Sequence, residues 1–178
     1  MIRLFSAIQQ CFQFTLHWAF SAIRRIFVPI LLFSLTACSL QSEASLHLQF
    51  EQNKVDILKI LEMQNQDLKV IRIAPTFTRL DTDWSWPRKN IGFSDERWNE
   101  YRALFQNAGI TDGIEKNGDE IWYFVSSQGL GISGSGRGFV FLKQTPKLIV
   151  RKFNECPHNK EVCYIPIEKN WYLYEERN

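Results

Sequence analysis

Two short stretches hold most of the side chains that could do chemistry. In "DTDWSWPR", the indoles Trp84 and Trp86 lie beside Asp81, Asp83 and Arg88. Ring faces that stack on apolar sugar faces, with carboxylates accepting hydroxyl protons, are what glycan recognition requires. Paired carboxylates also serve glycoside hydrolysis, where they flank the scissile bond at least about 5 Å apart. Aspartates two residues apart on one loop seldom face each other that way, and the indoles would equally serve to anchor the loop in the core. In "GISGSGRG", Gly131, Gly134, Gly136 and Gly138 permit backbone amides to cup an anion beside Arg137. No Gly-Lys-Ser/Thr follows, and "FVFL" continues as β-prone sequence, so this is not a phosphate-binding loop followed by a helix. A glycine-rich β-turn is the competing reading. Ser126, Ser127, Ser133 and Ser135 lack a G-x-S-x-G elbow, and neither H-E-x-x-H nor an EF-hand loop is present. The sequence therefore predicts no catalytic constellation, no metal site and no cofactor.

The cysteines divide by position. Cys38 ends the stretch "IFVPILLFSLTAC", which follows Arg24 and Arg25 and precedes polar sequence. A positive flank, a short apolar core and small residues are the three zones of an export signal. "LTAC" resembles the lipobox of bacterial lipoprotein signal peptides. The resemblance implies diacylglyceryl transfer to the Cys38 thiol, cleavage before it and acylation of the new amino terminus. A transmembrane helix is the alternative, but it needs about 20 apolar residues, and extending the run backwards would bury two arginines at roughly 2.5–3.5 kcal/mol each. Ser39 stands where an aspartate would resemble the inner-membrane retention signal, which favours the periplasmic face of the outer membrane. The expected organisation is a signal peptide over 1–37, a lipidated terminus and polar tether over 38–45, and one domain over 46–178.

Removing the signal changes the charge. All 19 acidic residues follow position 38 but only 18 of the 21 basic ones do, so the mature chain carries about −1. Lysine and arginine are scattered among carboxylates, with no basic stripe for nucleic acid. The expected partners are the membrane, through the lipid, and an envelope protein or glycan. Cys156 and Cys163 in "ECPHNKEVCY" form an even, closely spaced pair, which in an exported chain reads as a disulfide. His158 between them invites a zinc reading, but three ligands within eight residues match no known zinc spacing.

These residues need a scaffold. Leu46, Phe50, Ile57, Leu58 and Leu61 recur at helical spacing and predict an amphipathic helix over 46–65. "LKVIRIA" predicts a strand over 68–74, and the stretch after Pro75 reads as irregular. Ser94 caps a second helix that shares Trp98, Tyr101, Leu104, Phe105 and Ala108 on one face and stops at Gly109. The C-terminal half is a series of β-prone runs, "EIWYFVSS", "LGISG", "RGFVFLK", "KLIVRKF", "VCYIPI" and "WYLYEE". "NG" at 117–118, "SGSG" at 133–136 and "PHNK" at 157–160 mark turns. Pro166 assigns its run to a sheet edge or a strand end. The expected fold is α+β, with two amphipathic helices on a mainly antiparallel sheet of about five to six strands.

"RWNEYRALFQNAGI", "GLGISGSGRGFVF" and "NWYLY", in this order, resemble an uncharacterised group of proteobacterial small lipoproteins. The resemblance implies an exported single domain and assigns no activity. The expected function is a non-enzymatic interaction or structural domain of the cell envelope. The alternative is a module that binds a glycan or peptidoglycan fragment through Trp84 and Trp86.

Overall fold

The computed structural model describes residues 40–80, 94–130, 133–158 and 162–177. Cys38, and the segment holding Asp81, Asp83, Trp84 and Trp86, lie outside the described residues.

Helix begins inside the stretch expected as a tether. Ser42 caps α1 (Glu43–Gln52), its hydroxyl accepting the Ser45 N–H, and Glu43 occupies the first turn. The tether expected over 38–45 therefore overlaps the helix start: a serine followed by an acidic residue is a capping signal as well as polar sequence. Asn53 then divides the single helix expected over 46–65. Its side-chain amide and its N–H both donate to the Gln49 carbonyl, and α2 (Lys54–Gln66) starts afresh behind it. An asparagine amide that competes for a helix carbonyl offers the backbone a way out of the ladder. Leu46, Phe50, Ile57, Ile60 and Met63 are buried, whereas Leu58, assigned to the apolar face, is 41% exposed. Helix α3 (Asp95–Ala108) keeps its expected limits, capped by Ser94 and closed by Gly109 in the left-handed conformation at φ 66°.

Among the described residues, seven strands form one antiparallel sheet in the order β2-β1-β3-β4-β5-β7-β6. They are β1 (Val70–Ile73), β2 (Thr78–Leu80), β3 (Gly113–Asn117), β4 (Glu120–Leu130), β5 (Ser133–Phe141), β6 (Val162–Glu168) and β7 (Trp171–Arg177). The class is α+β as expected, with three helices and seven strands among the described residues in place of two and five to six. Strands β2 and β3 are too short and polar to show a period. "SGSG" is not a turn: Ser133 to Gly136 are the first residues of β5, in register with β4. Alternating serine and glycine satisfy a strand ladder as readily as a turn, and the long apolar partner strand decides the matter. "KLIVRKF" is not a full strand. Leu148 and Val150 bond to Tyr164 through a single parallel bridge at Ile149, and Phe153–Glu155 forms a 3-10 turn. Pro166 lies in β6, an edge strand, where a missing N–H costs least.

All three helices pack on one face of the sheet. There Phe50 meets Phe139 and Trp171 with ring centroids 5.4 and 5.2 Å apart, and the Trp98 indole N–H donates to the Ala74 carbonyl. Ile121, Tyr123 and Val125 of β4 belong to this core, as do Ile114, Phe139 and Leu173. Val140, Tyr172 and Tyr174 from the same strands, with Leu142 just past β5, form a second apolar cluster with Trp122, Phe124 and Tyr164 on the opposite face.

Candidate functional site: the arginine and ring face of the sheet

Register determines what the second face holds. One cross-strand line runs Arg79, Arg72, Glu115, Trp122, Val140, Tyr172 across β2, β1, β3, β4, β5 and β7. The line beside it runs Phe124, Gly138, Tyr174, Tyr164 across β4, β5, β7 and β6. Gly138 makes the second line possible. A Cβ there would stand 1.9 Å from the Tyr123 carbonyl oxygen and 3.1 Å from the Tyr174 ring. With no side chain at that position, Tyr174 lies across the strand, 4.8 Å from Trp122 and 6.4 Å from Phe124 between centroids, edge-on to both.

At the β1–β2 end the rings meet a charged corner. The Arg72 guanidinium lies 4.0 Å over the Phe124 ring and donates from Nη2 to the Asp112 carbonyl at 2.8 Å. Glu115 accepts from Arg79 Nη2 at 3.2 Å and stands 3.8 Å from Arg72 Nε. Burial lowers the Arg72 pKa from its ordinary value, while Glu115 and Asp112 pull it up. Three polar atoms of this face are closed off without a hydrogen-bond partner: Arg72 Nη1, Arg79 Nε and the Tyr174 hydroxyl. A buried donor left unpaired costs about 1–3 kcal/mol, so these atoms carry a cost that packing alone does not require. Burial raises the Tyr174 hydroxyl well above the ordinary tyrosine value, so it stays protonated and able to donate. Tyr164 is pushed up to about 12 by burial and by the carboxylates of Glu120 and Glu176.

Arg137, read from the sequence as an anion donor beside glycines, is already engaged. Its Nε and Nη2 donate to Glu175 Oε2 at 2.9 and 2.6 Å, and its Nη1 donates to the Gln41 carbonyl at 2.8 Å. Arg177 Nε holds the other Glu175 oxygen. Arg177 also donates to the carbonyls of Phe153, at 3.0 Å, and Cys156, at 3.4 Å. Gly134, Gly136 and Gly138 are in β5, and the described glycines with positive φ are Gly109, Gly113 and Gly118. The anion nest therefore does not form from the described part of that stretch. What forms is a clasp, in which a nearly buried carboxylate and two guanidiniums fasten the start of α1 and the 3-10 turn to the sheet.

Cys156 and Cys163 lie at disulfide distance, with Cα atoms 6.0 Å apart. The pair joins the end of the 3-10 turn to β6. Among the described residues no group of three or more His, Cys, Asp or Glu side chains is placed to hold a metal ion.

The sequence reading missed Arg72, Arg79, Glu115, Trp122 and Tyr174. One signal was available: "IWYFV" and "WYLY" are apolar at every position, which marks strands with both faces occupied rather than one face in water.

Compared with known proteins, the chain matches no family model, no curated protein and no solved structure.

Proposed function

We propose that this chain is a lipid-anchored domain of the bacterial cell envelope that binds another envelope component without a catalytic step. The binding surface in this reading is the ring face of the sheet. One observation carries it: the helices are stacked on a single side, while the other side presents half-buried Trp122, Phe124 and Tyr164 next to an arginine corner. Aromatic and arginine side chains grouped in this way are the usual anchors of interfaces. Attachment through Cys38 at the periplasmic face of the outer membrane rests on the "LTAC" stretch and its apolar core. No helix among the described residues is long and apolar enough to cross a membrane.

Site-directed photo-crosslinking in growing cells tests the binding face. A crosslinker in place of Tyr164 should capture a discrete envelope product, and one in place of Val55, 81% exposed on α2, should not. Equal capture from both positions, or capture from Val55 alone, removes the reading. The anchor is tested separately: Cys38→Ala should abolish palmitate labelling, and a labelled mutant would refute lipidation. The alternative, glycan recognition by Trp84 and Trp86, rests on the "DTDWSWPR" stretch, which follows β2 in sequence. A muropeptide titration that left tryptophan emission unchanged would count against it.

A further inference from the structure

We infer that the outward sides of α1 and α2 lie against the membrane surface that holds the Cys38 lipid. The inference rests on the anchor at Cys38 and names a second, non-covalent contact of the domain with lipid.

The first argument is the exposed apolar side chains. Among the described residues five large apolar side chains are exposed, and three of them, Leu48, Val55 and Leu58, belong to α1 and α2, at 58%, 81% and 41%. Each stands two positions, about half a helical turn, from a buried residue: Leu48 from Leu46 and Phe50, Val55 from Ile57, Leu58 from Ile60. They therefore point away from the sheet. Helix α3 packs on the same face and shows water a different surface, with Glu96, Asn99, Glu100, Gln106 and Asn107 exposed. A single exposed apolar residue needs no explanation, but a group confined to one of two neighbouring helical surfaces does.

The second argument is the length of chain before the fold. Gln41 is already fastened: its N–H donates to Ser126 Oγ at 3.3 Å, its carbonyl accepts from Arg137, and its side-chain amide donates to Ser45 and Gln49. Three peptide units separate it from Cys38, a reach of at most about 11 Å. Glu43, the first residue of α1, follows two positions later, and its carboxylate accepts the Phe153 N–H at 2.6 Å. A lipid on so short a leash holds the start of α1 beside the headgroups.

The third argument is charge and mass action. Glu51, Lys59 and Glu62 flank the apolar side chains, so the surface carries no excess of basic residues for anionic lipid. Three apolar side chains bind lipid only weakly by themselves. The anchor makes the contact intramolecular, and an effective concentration in the millimolar range lets a weak contact hold. The helices then face lipid, and the ring face on the other side of the sheet faces a partner.

The mature lipidated chain, reconstituted in phosphatidylcholine vesicles, tests this by fluorescence quenching. A fluorophore is placed on Val55→Cys, on Asn99→Cys of α3, or on Glu120→Cys, two residues before Trp122 on the ring face, and nitroxide is carried on the lipid headgroups. The label at 55 should be quenched at least about threefold more than those at 99 and 120, in low and high salt alike. Leu48→Ser combined with Leu58→Ser should cut the quenching at 55 by about half or more and leave the melting temperature unchanged, because both positions are exposed. Equal quenching at 55 and 99, stronger quenching at 120, or quenching at 55 that the double substitution does not change would overturn the inference with the anchor intact. Quenching at 55 that needs phosphatidylglycerol and disappears in salt would overturn the apolar contact. Mass spectrometry of the same preparation reads the anchor independently: a mature chain without the diacylglyceryl group would refute lipidation, and the inference with it.

Discussion

Replacing Glu175 with glutamine should loosen one end of the molecule before the rest. The carboxylate is 4% exposed, and its two partners, Arg137 and Arg177, are 19% and 27% exposed. Removing one member of a buried ion pair typically costs about 3–5 kcal/mol, because the remaining charge is left uncompensated. The substitution keeps one carbonyl acceptor, and the guanidiniums retain some access to water, so the expected loss is smaller, about 2–3 kcal/mol. At roughly 3–4 °C per kcal/mol for a domain of this size, the melting temperature should fall by about 6–12 °C. The location of the loss is the sharper test. Arg137 holds the Gln41 carbonyl and Arg177 holds those of Phe153 and Cys156. Hydrogen exchange should therefore quicken around the start of α1 and the 3-10 turn, with α3 and the β3–β4 pair unchanged. A double-mutant cycle of Glu175→Gln with Arg137→Met should show a coupling of about 1–3 kcal/mol. A loss below about 0.5 kcal/mol, or exchange that quickens evenly along the chain, would refute the clasp.

Three further outcomes follow from the geometry. Gly138→Ala places a methyl 1.9 Å from the Tyr123 carbonyl oxygen, so β4 and β5 must part, at a cost of about 3 kcal/mol or more by denaturant unfolding. Unchanged stability would show that the close approach is misread. Reducing the bond between Cys156 and Cys163 should speed exchange in the turn and β6 while the helical circular dichroism holds, since the closed loop spans a sequence separation of only 7. Tyr164 favours folding in its neutral form, because its folded pKa, about 12, is raised above the ordinary tyrosine value of about 10. Its contribution is complete below pH ~10 and is lost between there and about 12. Tyr164→Phe should flatten that part of the stability curve, and an identical slope in both proteins would remove the assignment.

Much of the fold was legible because it depends on local signals. Ser94 and Gly109 bracket α3 through capping chemistry that three or four residues contain. The helix break at Asn53 was less visible, because asparagine inside an apolar repeat is unremarkable until its amide turns back to Gln49. Strands β2 and β3 escaped notice for a different reason. Thr78–Leu80 and Gly113–Asn117 have little intrinsic strand character, and they pair because β1 and β4 present edges to them. "SGSG" shows the reverse, a turn composition drawn into a strand by an eleven-residue partner. In each case, contacts between residues distant in sequence outweighed local propensity.

The candidate site was less legible than the fold, and register explains why. Arg72, Glu115 and Trp122 come from three separate runs, and nothing in any one of them indicates that they share a line across the sheet. A slip of one residue in β3 would turn Glu115 to the helix side and bring Ile114 to the corner. Arg137 shows the converse error. Its neighbours suggested an anion site, but its nearest anion is Glu175, supplied by β7 nearly forty positions away. An arginine among glycines is accessible only if the strand beside it offers no carboxylate, and sequence order does not say which strand that is. Arg72 differs from Arg137 in this respect. It lies across from a second arginine, shares Glu115 with it, and leaves its Nη1 without a hydrogen-bond partner.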